Sequence, residues 1–106
     1  MKHLQMSFRF DGNRAAFEKA FEDAAQPIAD TKGLKWKIWL WNDEERIGAG
    51  IYLFEDQESI DAYLAGPIVA PLGEHPAISD LSVKVFDIVE KHTAVTRGPV
   101  GQTLTA

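Results

Sequence analysis

Leu4, Met6, Phe8 and Phe10 alternate with His3, Gln5, Ser7 and Arg9, a period of two that predicts a half-buried β-strand at the start of the chain. Asp11-Gly12-Asn13 breaks that strand and offers Asn13 as a helix N-cap. Phe17, Phe21, Ala24 and Ile28 then recur at spacings of three and four, the apolar stripe of an amphipathic helix, which Pro27 is expected to kink or end near Gln26. After Gly33, the stretch Leu34–Asn42 alternates again, but with apolar groups on both faces. Trp36, Ile38 and Leu40 share one face; Lys35, Lys37, Trp39 and Trp41 share the other. A strand of that kind is covered on both sides. A polar turn at Asn42-Asp43-Glu44-Glu45 joins it to a second strand from about Arg46 to Phe54, making a hairpin. Asp56 caps a second helix carrying Ile60, Tyr63 and Leu64, which Gly66-Pro67 stops. Ile68–Leu72 reads as a further turn of helix. Ser79–Val89 reads as the last strand, with Leu81, Val83 and Val85 opposite Lys84, Phe86 and Ile88.

The order β-α-β-β-α-β predicts an α+β, ferredoxin-like fold: a four-stranded antiparallel sheet with both helices on one face. Residues 1–89 form that domain and 90–106 read as an extended C-terminal arm, poor in core residues and expected to pack on a partner subunit. The uncovered face of the sheet is expected to carry Trp39, Trp41, Phe86 and Ile88. So large an apolar patch predicts a homodimer with sheets face to face.

Composition narrows the partners. The chain has 106 residues, enough for one domain, and 45% of them are hydrophobic. Sixteen acidic against eleven basic residues leave a net charge of −5, and no basic stripe extends beyond Lys32, Lys35 and Lys37, so nucleic acid is not expected. No apolar run reaches the length of a membrane span, and Met1–Gln5 lacks the apolar core of a signal peptide. With no cysteine, disulfides, thiol catalysis and zinc–thiolate sites are excluded; the expected location is the cytoplasm.

Several segments resemble the YdhR-like mono-oxygenases of the dimeric α+β-barrel superfamily. They are Gly33-Leu34-Lys35-Trp36-Lys37-Ile38-Trp39, Gly48-Ala49-Gly50-Ile51-Tyr52-Leu53-Phe54, Ala62-Tyr63-Leu64, Val83-Lys84-Val85-Phe86-Asp87-Ile88 and Ala94-Val95-Thr96-Arg97-Gly98-Pro99. The resemblance runs from Met6 to Pro99. It implies a homodimer, a pocket between sheet and helices, and kinship with antibiotic-biosynthesis mono-oxygenases, which oxidise aromatic polyketides without metal or flavin. Some members carry a histidine shortly after the Tyr-Leu of the second helix; this chain has Gly66-Pro67-Ile68-Val69 there.

Candidate chemistry follows from residue type and place. The glycines of Gly48-Ala49-Gly50 lie within a strand, so they do not form a phosphate loop. His3, His75 and His92 have no ligand spacing, and no metal or cofactor is expected. Cofactor-free oxidation needs a base, a donor for an oxyanion and a dry pocket. Trp36 is either a pocket wall with an N–H for a ligand carbonyl or a core filler. Trp39 is either a substrate contact or dimer packing. Gly48 and Gly50 open a shallow place on their strand, and Tyr52 either donates its hydroxyl there or is bonded to backbone. Phe86 helps shape the site. His75, in a loop beside Pro76, is a candidate base. Arg97 either closes the partner's pocket on an anion or tethers the arm through an ion pair, with Asp87 the obvious partner. The expected function is a cofactor-independent mono-oxygenase acting on a small aromatic or polyketide-like molecule. The alternative is a non-catalytic small-molecule-binding or stress-response protein on the same scaffold.

Overall fold

A computed structural model describes residues 1–12 and 14–100, so the expected cap at Asn13 and the last part of the arm, 101–106, lie outside the described residues. Four strands form one antiparallel sheet: β1 (Lys2–Phe10), β2 (Leu34–Asn42), β3 (Ile47–Phe54) and β4 (Ile78–Asp87), in the order β2-β3-β1-β4. Helices α1 (Arg14–Ala29) and α2 (Gln57–Leu64) supply the two crossovers, which is the ferredoxin-like plan. Two short helices follow, α3 (Ala70–Glu74) and α4 (Glu90–Val95). The final segment therefore begins with a helical turn where an extended chain was expected.

The alternation in β1 sends Leu4, Met6, Phe8 and Phe10 under the helices, all buried. They join Tyr52, Phe54, Ile60 and Tyr63 in one cluster and Phe17 in another. Asp56 caps α2, its carboxylate accepting from Ser59 N at 2.8 Å, and this is what starts the helix that buries Ile60. Pro27 does not end α1, which runs on to Ala29. Only one intrahelical bond is lost so near the C-terminus, and buried Ile28 holds the last turn on the core. A register shift in the β1–β4 pairing between Ser7 and Arg9 inserts one extra residue in β4, where Asp80 takes a φ of 53°.

Which side of β2 faces the helices is opposite to the sequence expectation. Trp39 and Trp41 lie beneath α1: the Phe21 ring is 5.4 Å from Trp39 and 5.5 Å from Trp41. In register they oppose Gly50 and Gly48, and the missing side chain of Gly48 leaves room for the Trp41 indole under the helix. The uncovered face carries Phe86 as expected, 47% exposed, but Ile38 and Leu40, each 45% exposed, in place of the two tryptophans. Trp36 is on that face too, and its indole N–H donates to the Pro99 carbonyl at 2.7 Å. The end of the described chain thus folds back on its own β2, with Val100 buried.

Candidate active site

Between α1 and the β2–β3 hairpin lies a cavity of about 230 Å³. Phe21, Ala24 and Ile28 form its helical roof, Met6 and Phe8 part of its floor, and Tyr63, Ile68 and Leu72 its far end. Arg14 and Glu18 also line it, held to each other by an ion pair of 3.2 Å one helical turn apart. The volume is below the usual range for drug-sized ligands, so a small molecule is the fitting occupant.

The polar groups inside are few and close together. Lys37 leaves β2 on the helix side and lays its ammonium 3.5 Å above the centre of the Trp39 ring and 4.7 Å from that of Tyr52. No carboxylate or hydrogen-bond acceptor contacts its Nζ among the described residues; two aromatic faces are its only stabilisation. Burial lowers its pKa from 10.5 to about 8, because the charged form has lost water without gaining an anion. Beside it the Tyr63 hydroxyl donates to the Tyr52 hydroxyl at 3.4 Å, a long bond. Burial above all, with the neighbouring Tyr63 adding to it, raises the Tyr52 pKa far above the ordinary phenol range. Tyr63 is also raised by burial, against a smaller lowering by its bond to Tyr52. Tyr52 is therefore a neutral donor, and Lys37 an amine whose charged form burial disfavours.

Three of the seven residues singled out from sequence meet here: Trp39, Gly50 and Tyr52 all line the cavity. The other four are elsewhere. Trp36 is on the opposite face of the sheet. Phe86 is also there, its ring edge-on to His3 at 5.8 Å. His75 packs 5.7 Å from the Phe17 ring outside the cavity, and its Nδ1 accepts from Ala77 N at 3.0 Å, closing a turn. Arg97 takes a φ of 66° just after α4, a left-handed geometry that reverses the chain toward Pro99. Asp87 pairs with Lys2 rather than with Arg97. Lys37 is the residue that sequence reasoning missed. Its signal was present: a lysine on the same face as Trp39, with a glycine on the neighbouring strand. Among the described residues no group of three histidine, cysteine or acidic side chains is placed to hold a metal ion. No helix there is long and apolar enough to cross a membrane.

The family described as "Putative mono-oxygenase ydhR" matches residues 3–99. No curated protein matches the chain. Among solved structures, a protein of unknown function from Nitrosomonas europaea, NE2512, is 17% identical with a TM-score of 0.71, over 83% of this chain and 88% of that one. SnoaB, a cofactor-independent oxygenase from Streptomyces nogalater, is 22% identical with a TM-score of 0.68, over 84% of this chain and 93% of its own. MhuD, a heme-degrader from Mycobacterium tuberculosis solved with two hemes in its active site, is 20% identical with a TM-score of 0.66, over 84% and 96%. At these identities the likeness is one of fold.

Proposed function

Since the chain belongs to the ydhR mono-oxygenase family, we propose that it oxidises a small aromatic or polyketide-like molecule with dioxygen, using no metal or flavin, in the cavity beneath α1. The observation that carries this reading is Lys37: a half-buried amine with no acidic partner, in a cavity otherwise built from apolar and aromatic groups. Such a site has space for a flat ring and one place for negative charge.

The steps follow from the residues. The neutral fraction of Lys37 takes a proton from an acidic C–H or phenol of the bound molecule. The resulting ammonium then stays beside the enolate or phenolate it has produced, and Tyr52 donates to the developing oxyanion. The anion passes an electron to dioxygen, recombination at carbon gives a peroxide anion, and the Lys37 ammonium returns its proton to make the hydroperoxide. Loss of water completes the balance, one methylene plus O₂ giving one carbonyl plus H₂O. Trp39 and Gly50 shape the wall: the indole carries the ammonium on its face and the glycine leaves room for the lysine stem. His75, Arg97, Trp36 and Phe86 lie outside the cavity and have no part in this scheme.

The functional unit in this reading is a cytoplasmic homodimer. Ile38, Leu40 and Phe86 present an apolar sheet face that a second copy covers, sheet against sheet.

Oxygen uptake by the purified protein, freed of metal by chelation, tests the reading against a panel of aromatic hydroxyketones and quinols. A substrate that consumes one O₂ per molecule, with Lys37→Met inactive yet folded, supports it. Ligands that raise Tm but consume no oxygen move the protein to a binding role on the same scaffold.

A further inference from the structure

Lys2, Lys19 and Lys35 each hold a carboxylate. Lys37 instead lines the cavity, where its Nζ has two aromatic faces and no ion-pair or hydrogen-bond partner among the described residues. Its stem passes over Gly50, and a Cβ at that position would lie only 2.8 Å from Lys37 Cε. The absence of that carbon lets the amine bend into the cavity instead of out to solvent. A hydroxyl donor stands alongside, since Tyr52 accepts from Tyr63 and has its own proton left to give. The other charged or titratable groups facing the cavity are Arg14 and Glu18 from α1, joined to each other, and Tyr63 from α2. None is a carboxylate free to hold the ammonium.

The geometry points to Lys37 as a nucleophilic lysine, and to the cavity as a site that takes an aromatic aldehyde or ketone as a Schiff base on Lys37 Nζ. The neutral amine adds to the carbonyl carbon to give a carbinolamine. The nitrogen's proton passes to the hydroxyl, which leaves as water with Tyr52 hydrogen-bonding the departing oxygen, and the product is an imine. One carbonyl and one amine become one imine and one water, with no oxidant or reductant needed. The apolar walls hold the ring and keep bulk water from reversing the last step. The lowered pKa of the amine supports the same reading, since more of it is uncharged near neutrality than of an ordinary lysine. The proposal goes beyond the oxidative reading and needs no oxygen, so either can fail while the other stands.

The test is reductive trapping. The whole chain is incubated with benzaldehyde and sodium cyanoborohydride near neutral pH under nitrogen, and the modified residue is found by peptide mass mapping. The expected product is one benzyl group per chain on Lys37, formed on the order of a hundredfold faster than at Lys35 or Lys84. An excess of 1-naphthol, competing for the cavity, slows it, and Lys37→Arg is not trapped. Labelling spread evenly over the lysines, concentrated on the Met1 amine, or absent from the folded protein overturns the proposal. Mapping on the parent protein decides the matter even if Lys37→Arg does not fold.

Discussion

Gly50 and Lys37 are diagonal neighbours across the β2–β3 pair, and the stem of the lysine occupies the space where a Cβ of residue 50 would stand. That one contact couples a small residue on one strand to the position of the charge on another. Gly48, two residues earlier, has a different neighbour: a Cβ there would lie 2.6 Å from Phe8 Cζ and 3.0 Å from Trp41 Cζ3, both ring atoms packed in the core.

Gly50→Ala and Gly48→Ala should therefore separate stability from function. Gly50→Ala displaces the flexible end of Lys37 and presses less closely, at 3.2 Å, on the buried Tyr52 ring, so urea unfolding should change by about 1 kcal/mol while ligand affinity falls roughly tenfold. Gly48→Ala strikes packed rings and should cost about 1–3 kcal/mol. Equal stability losses in the two would mean that Lys37 does not rest on Gly50.

Replacing Lys37 by Met should stabilise the fold at neutral pH by about 1–2 kcal/mol, after allowing for the solvent still around a half-buried amine. The folded pKa lies below the unfolded one, at about 8 against 10.5. Between those values the unfolded chain binds more protons, so the parent protein gains stability as pH rises from 8. Above about pH 10 Tyr52 and Tyr63, which keep their protons longer when folded, reverse the slope. Denaturation midpoints of parent and Lys37→Met measured across pH 7–10 should converge. Parallel curves would mean that the amine titrates normally.

Trp36→Phe should leave cavity ligands bound as before, because the indole stands on the opposite sheet face. Its cost is the hydrogen bond to Pro99 O, about 1 kcal/mol. Faster tryptic cleavage after Arg97 and unchanged ligand affinity are the expected pair of results. Lost affinity would place Trp36 back in the site.

Phe86→Asp puts a charge on the exposed apolar face and should turn a dimer into a monomer in sedimentation at micromolar concentration. Identical sedimentation of parent and variant would remove the sheet face as the contact between copies.

Much of this fold was legible in sequence because period two and period 3.6 each left a clean trace. Phe8 and Phe10 sort to one side without help, and Asp56 marks the start of α2. The partition of β2 into Trp36, Ile38, Leu40 and Lys35, Lys37, Trp39, Trp41 was legible as well. What alternation cannot say is which set turns toward the helices when both sets are apolar. The deciding information lay on β3, where glycines oppose Trp39 and Trp41, and it acts only once the register is known. The site was half legible for the same reason. Tyr52 and Gly50 were found as features of one strand, but Lys37 gains its meaning from an indole two residues on and a glycine across the hairpin. His75 and Arg97 drew attention by chemical type, yet local backbone geometry accounts for both: a bond within a turn for one and a left-handed chain reversal for the other.

The ammonium above the Trp39 ring has an optical consequence. An indole with a positive charge at its face emits differently from one with a neutral amine there, and differently again once a ligand parts the two. Of the three tryptophans, Trp36 has its N–H bonded to Pro99 and Trp41 has its own bonded to Asp43, whereas Trp39 has the cation within 3.5 Å. Trp39 fluorescence is thus a built-in gauge of both the charge on Lys37 and the occupancy of the cavity, readable on the unlabelled protein.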